Sequence, residues 1–126
     1  MVVTEFRCKF AEMTDPNEAL SLGRAQAIVD EWIRTVGVRY FSPLTNMAIL
    51  TEETGEVARA MARLYGDQSA KAGEKLDLAD ELADVLWVVM AIANQTGVDL
   101  EEAFRNNLAK KNVRDCERHI NNPKLK

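Results

Sequence analysis

The sequence is poor in the residues that usually carry redox or disulfide chemistry, with one histidine and two cysteines among 126 residues. His119 lies near the C-terminal end, outside every acidic cluster. That argues strongly against a carboxylate-bridged di-metal redox bundle, which needs inward-facing Glu-x-x-His pairs. Cys8 and Cys116 are too few and too far apart for a disulfide framework, so both are expected as reduced thiols in a reducing compartment. No glycine-rich phosphate loop, internal repeat or alternating strand pattern is present, which argues against a sheet-based nucleotide fold. Met1-Val2-Val3-Thr4-Glu5 lacks the basic start and long apolar run of a signal peptide. The apolar run 82–93 is too short for a membrane span and contains Asp84. With a net charge of −4, the chain has no general basic coat for a nucleic acid polymer. These absences predict a soluble, cytoplasmic protein of one domain, 1–126. It is long enough for a real core and small enough for oligomerisation to help.

What the chain does have is carboxylates inside apolar helices. In residues 77–93 the only charged side chain from Leu82 to Ala93 is Asp84. Burying an unpaired carboxylate costs several kcal/mol even after relaxation, so Asp84 must be protonated, paired or holding a cation. Glu81 lies one turn earlier and projects between Val88 and Ile92 on a helical wheel. Residues 49–64 repeat the arrangement. Glu53 falls between Ala60 and Leu64, Glu56 lies beside Ile49, and Glu52, Arg59 and Arg63 share a separate polar face. Two E-x-x-[ED] pairs on antiparallel helices would bring four carboxylates together. Four cannot all ionise in one dry site without cations, and hard divalent ions with oxygen ligands suit them, Mg²⁺ first and Mn²⁺ as a substitute. The plainer reading is two amphipathic helices whose glutamates border the core. It leaves Asp84 and the second pair unexplained.

The elements around these pairs read as helices. Asp15-Pro16 with Glu18 predicts a helix from Asp15 to about Val36, striped by Leu22, Ala25, Ile28, Val29, Trp32, Ile33 and Val36 and ended by Gly37. Trp32 belongs to that stripe and is expected in the core rather than as a nucleotide platform. Ser42-Pro43 opens a second helix to about Leu64, and a polar loop from Gly66 to Gly73 leads to a third from about Glu74 to Thr96, ended by Gly97. Asp99 with Glu102 caps a fourth, carrying Lys110, Lys111, Asn112, Arg114 and Arg118. Residues 1–13 read as an N-terminal arm and 119–126 as a flexible tail. The expected fold is an all-α four-helix bundle protomer. Because the third helix is apolar nearly all round, it needs cover on both sides. Trp87 is expected to pack on a second copy, giving a dimer or a tetramer.

Glu52, Glu53 and Glu56, followed by Glu81, Asp84, Val85 and Leu86, resemble the MazG family of all-α nucleotide pyrophosphohydrolases, in its single-domain bacterial branch. Gln26, Trp32, Tyr40-Phe41-Ser42-Pro43-Leu44 and Tyr65-Gly66 agree, and the resemblance covers roughly residues 22 to 118. It implies that Glu53, Glu56, Glu81 and Asp84 bind Mg²⁺. It also implies that a (d)NTP is hydrolysed to (d)NMP and pyrophosphate, plausibly as nucleotide-pool house-cleaning. Glu53 or Glu56 would accept the proton from the attacking water, and Lys110, Asn112 and Arg114 would contact phosphates. The sequence departs from the family after the Lys-Asn-Arg segment. Many relatives have an aromatic-Pro pair where Asp115-Cys116-Glu117-Arg118-His119 stands here. The alternative is a non-catalytic helical oligomerisation or metal-binding module.

Overall fold

Each helix starts where a short polar side chain takes a first-turn amide proton. Ser21 accepts from the Arg24 N–H, Ser42 from Thr45, Asp77 from Asp80 and Asp99 from Glu102. The computed structural model describes residues 15–126, so the expected arm at 1–13 and Cys8 lie outside the described residues. The four caps open α1 (Leu22–Thr35), α2 (Pro43–Leu64), α3 (Leu78–Thr96) and α4 (Leu100–Ile120). There is no strand among the described residues, so the all-α expectation holds. No described helix is long and apolar enough to cross a membrane.

Three boundaries differ from the sequence reading, each for a local reason. Asp15 does not cap a helix. Its side chain takes the Asn17 backbone and side-chain N–H groups at 2.8 and 2.9 Å, closing an Asx turn, and α1 waits for Ser21. Glu74 does not open α3, because its carboxylate is drawn sideways to α2, and the helix starts at Asp77. At the other end α4 continues through Ile120, and Pro123–Leu125 form a 3-10 turn where a frayed tail was expected.

α2 and α3 form an antiparallel hairpin, fixed by pairs along its length. Near one end Asn46 Nδ2 donates to Gln95 Oε1 at 2.8 Å. Near the other, Arg59 and Arg63 reach Glu74. α1 lies across α3, with Val29 and Ile33 packed against Met90 and Ala91. α4 packs on α1. Their approach at Gly23 is close: a Cβ there would stand 3.1 Å from Glu101 Oε2.

The expected partner of Trp87 is corrected. Trp87 packs edge-on against Trp32 of its own α1, with ring centroids 5.1 Å apart and an 86° interplanar angle. Leu82 is 49% exposed and Leu86 54% exposed. A helix that is apolar all round does not say which arc its own chain covers. Here α1 covers the Trp87–Ala91 arc.

One buried polar residue joins three elements. Gln26 Nε2 donates to Asn94 Oδ1 and to the Val98 carbonyl, and its Oε1 accepts from the Leu100 N–H at 2.8 Å. Asn94 Nδ2 returns a bond to the Gln26 carbonyl at 2.9 Å. Gln26 thereby fixes α1 to the α3–α4 corner, which Gly97 turns in the left-handed region at φ 72°. Gln26→Ala removes these bonds and strands buried groups, so it is expected to cost about 2–4 kcal/mol in urea unfolding. A cost below about 0.5 kcal/mol, the scale of a surface substitution, would contradict this account.

Candidate metal centre and adjoining cavity

The antiparallel hairpin places Glu53 of α2 opposite the first turns of α3. One carboxylate oxygen each from Glu53, Glu81 and Asp84 lie within 4.8 Å of one another. Glu53 and Glu81 are half-buried and Asp84 is exposed. Asp84 therefore does not lie in a sealed core. The electrostatics of the cluster are still costly. Burial pushes the Glu53 carboxyl up, and Asp84, Glu52, Glu81 and Glu56 add repulsion. Burial raises Glu81 too, followed by the charges of Glu56, Asp84 and Asp80.

Glu56 stands apart from this group. Its Oε2 accepts from Arg59 Nη1 at 3.2 Å, although its charge is felt at both Glu53 and Glu81. So the structure gathers three of the four expected ligands and leaves the fourth in an ion pair.

A cavity of about 360 Å³ opens beside Glu53 and Asp84. Its walls include Trp32, Trp87, Tyr40, Phe41 and Asn46. Trp32 was expected as core. It is 37% exposed and presents its ring to the cavity as well as to Trp87. The linker between α1 and α2 supplies the rest of the wall. Gly37 passes so near Trp32 that a Cβ would stand 3.1 Å from the indole, and Val38 takes a left-handed φ of 70°, unfavourable for a β-branched residue. Tyr40 anchors this linker. Its hydroxyl donates to Asp30 Oδ1 at 2.6 Å, while Arg34 bridges both Asp30 oxygens and lies over the Tyr40 ring. The hydrogen bond from Tyr40 holds the Asp30 carboxyl low, and burial with the Asp30 bond pushes the Tyr40 phenol up to about 12.

Lys110, Asn112 and Arg114 are exposed on α4 and do not line this cavity. Arg114 is occupied by Asp115, with its Nε and Nη2 at 3.0 and 2.8 Å from the two oxygens. Sequence reasoning missed the cavity wall itself. Asn46, Ile49, Glu53, Glu56 and Ala60 share one helical face, and that spacing was the available signal for Asn46, a buried polar residue on an acidic stripe.

The sequence profile of the MazG nucleotide pyrophosphohydrolase domain matches residues 41–119, the segment that contains both acidic helices. The chain belongs to the MazG nucleotide pyrophosphohydrolase family. It is 44% identical over 94 residues to YpjD of Bacillus subtilis (strain 168), covering 74% of this chain and 85% of that protein. Against YvdC of the same organism the identity is 29% over 94 residues, covering 68% and 88%. The crystal structure of Bacillus subtilis YPJD matches with a TM-score of 0.69 and 40% identity over 78% of this chain and 99% of that one. That of the Bacillus-conserved MazG protein, described as a nucleotide pyrophosphohydrolase, matches with a TM-score of 0.65 and 39% identity over 79% and 98%. As a MazG-family member the chain is a hydrolase, and its acidic hairpin lies inside the matched domain.

The raised carboxyls make a signed prediction for the cation-free protein. A carboxyl raised on folding contributes its full stability only below its unfolded value, and that contribution is lost as pH rises through the folded value. Asp84→Asn removes one repelling charge from Glu53 and Glu81. The cation-free variant should therefore melt higher than the wild type at neutral pH, and the difference should shrink as pH falls below the ordinary glutamate range, where Glu53 and Glu81 take up their protons. The same variant should lose metal-dependent hydrolysis. Near-normal activity at ordinary Mg²⁺ would refute the metal-centre reading.

Proposed function

We propose that the chain is a Mg²⁺-dependent nucleoside triphosphate pyrophosphohydrolase that converts a (d)NTP to the monophosphate and pyrophosphate. The observation that carries this reading is the convergence of Glu53, Glu81 and Asp84 beside an aromatic-walled cavity, within a MazG domain. The donor set fits a hard divalent cation: carboxylate oxygens, close together and mutually repelling, with Glu56 one turn from Glu53. Glu53, Glu56, Glu81 and Asp84 would hold it, with Mn²⁺ able to substitute. When bound, such an ion screens phosphate from carboxylate charge, polarises the phosphoryl oxygens and acidifies water.

The protein's own groups do the rest. The base and sugar enter the cavity between Trp32, Trp87 and Tyr40, with the Asn46 amide available to a base edge. Glu53 accepts the proton of the attacking water. Of Glu53 and Glu56, it is the one that borders the cavity. Water oxygen bonds to phosphorus at the α–β bridge, the bridging P–O bond breaks and pyrophosphate leaves. Clearing unwanted nucleotides from the pool would suit this reaction, and the cytoplasm is where such a pool lies.

A second copy completes the site in this proposal. Leu82, Leu86, Phe104 and Leu108 remain open. Lys110, Asn112 and Arg114 contact the phosphates from the partner copy, because α4 lies on α1 and away from the cavity of its own chain.

The direct test is a panel of canonical and modified triphosphates with pyrophosphate release as the readout, with and without Mg²⁺. A plain helical oligomerisation module would release none, and Mg²⁺ would not raise its melting midpoint. Arg114→Ala should raise KM about tenfold to a hundredfold, the worth of a charge-assisted phosphate contact, without changing Mg²⁺ affinity of the free protein. Mixing Arg114→Ala with Asp84→Asn protein should restore activity at low substrate, since one site of each mixed dimer then carries neither lesion. No recovery after subunit exchange would place Arg114 in its own chain's site.

A further inference from the structure

We propose that Arg59, gripped by Glu74, is a positioning residue that sets how readily Glu56 joins the acidic cluster. This rests on the reading of Glu56 as the fourth cation ligand. Arg59 sits between two carboxylates. Nη1 reaches Glu56, and Nη2 reaches Glu74 in the loop that joins the two acidic helices. Glu74 is built to hold it. Its side chain is only 9% exposed, its Oε2 takes the Lys71 N–H at 2.8 Å, and its own N–H returns a bond to the Lys71 carbonyl. Arg63 adds a second cation, with Nε 3.5 Å from the same Oε2 and Nη1 donating to the Arg59 carbonyl at 3.4 Å. Glu56 has no comparable support. Among the described residues its one recorded hydrogen bond is the one to Arg59.

The asymmetry gives the two ion pairs different roles. A divalent cation on Glu53, Glu81 and Asp84 competes with Arg59 for Glu56. Glu74 keeps the guanidinium on the loop side, so Glu56 can leave it without Arg59 following into the cluster. Without Glu74, the whole guanidinium is free to close on Glu56. Without Arg59, nothing holds Glu56 back and one positive charge leaves the neighbourhood of the cation. Breaking the same ion pair from its two ends should therefore move cation affinity in opposite directions.

The test is titration of the substrate-free protein with Mg²⁺ by calorimetry and with Mn²⁺ by electron paramagnetic resonance. Glu53→Gln and Glu56→Gln are run beside it, and both should weaken binding if the underlying site is right. Arg59→Gln is expected to tighten binding by about two- to fivefold, the scale of an exposed ion pair. Glu74→Gln, which keeps an acceptor for the Lys71 N–H, is expected to weaken it by a similar factor. The double variant should match Arg59→Gln alone, because Glu74 acts only through Arg59. If Glu74 merely folds the loop, both single variants shift in the same direction and follow the melting temperature, and the inference is overturned. Unchanged affinities in both overturn it as well, while the response of Glu53→Gln leaves the cation site standing. A wild-type protein that binds neither ion overturns the site and the inference together.

Discussion

The repulsion among Glu53, Glu81 and Asp84 is the constraint on which the rest of the structure depends. Ionised oxygens within 4.8 Å of one another oppose the packing of α2 on α3. The hairpin is therefore held from outside the cluster, at both ends. Asn46 and Gln95 tie one end, and Gln95 Nε2 also reaches the Phe41 carbonyl of the incoming linker. Glu74 ties the other through Arg59 and Arg63. Neither tie is anchored on Glu53, Glu81 or Asp84, although Arg59 also pairs with Glu56. The local cost of the cluster falls on a hairpin that bonds elsewhere support.

The same arrangement explains why the cavity lies where it does. α1 covers only one arc of α3, the arc of Trp87, Met90 and Ala91, and Gln26 locks it there. The linker from α1 to α2 must then pass over the hairpin near Glu53. Tyr40, held between Asp30 and Arg34, fixes that passage, and the left-handed Val38 is the conformational cost of making it in so few residues. Aromatic faces and carboxylates thus meet at one place because a short connection spans between two rigid supports. A nucleotide has the matching parts: a flat base with a π face, and phosphates that need a cation before carboxylates will tolerate them.

Much of this was legible in the sequence, for reasons that differ from residue to residue. Ser42-Pro43 and Asp99 with Glu102 are local signals, and the helices open there because capping needs only a few neighbouring residues. The acidic pairs were legible because a carboxylate in an apolar run is costly wherever the run folds. Glu74 was not, since its preference for Arg59 over a helix first turn is a tertiary contact between residues fifteen apart. Asp15-Pro16 carried a start signal that the chain spends on an Asx turn instead. Trp87 was misplaced because α3 offers apolar side chains on every side, so periodicity cannot rank its arcs. Only the position of α1, fixed by Gln26, decides among them.

What the single chain leaves open has a pattern of its own. On α3, Leu82 and Leu86 lie on the side away from Asp84 and stay open, although Leu86 shares a hollow with Ala25, Ile28 and Val29 of α1. The outer side of α4 carries Lys110 and Arg114, and α4 is held on α1, away from the acidic hairpin. Open apolar surface, an acidic cluster and basic side chains, Arg114 among them in its pair with Asp115, thus occupy three different parts of one chain. In the proposed two-copy assembly, a two-fold axis would bring the basic part of each chain to the acidic part of the other. There, the cluster that strains one chain would be the place where a cation and a triphosphate are held.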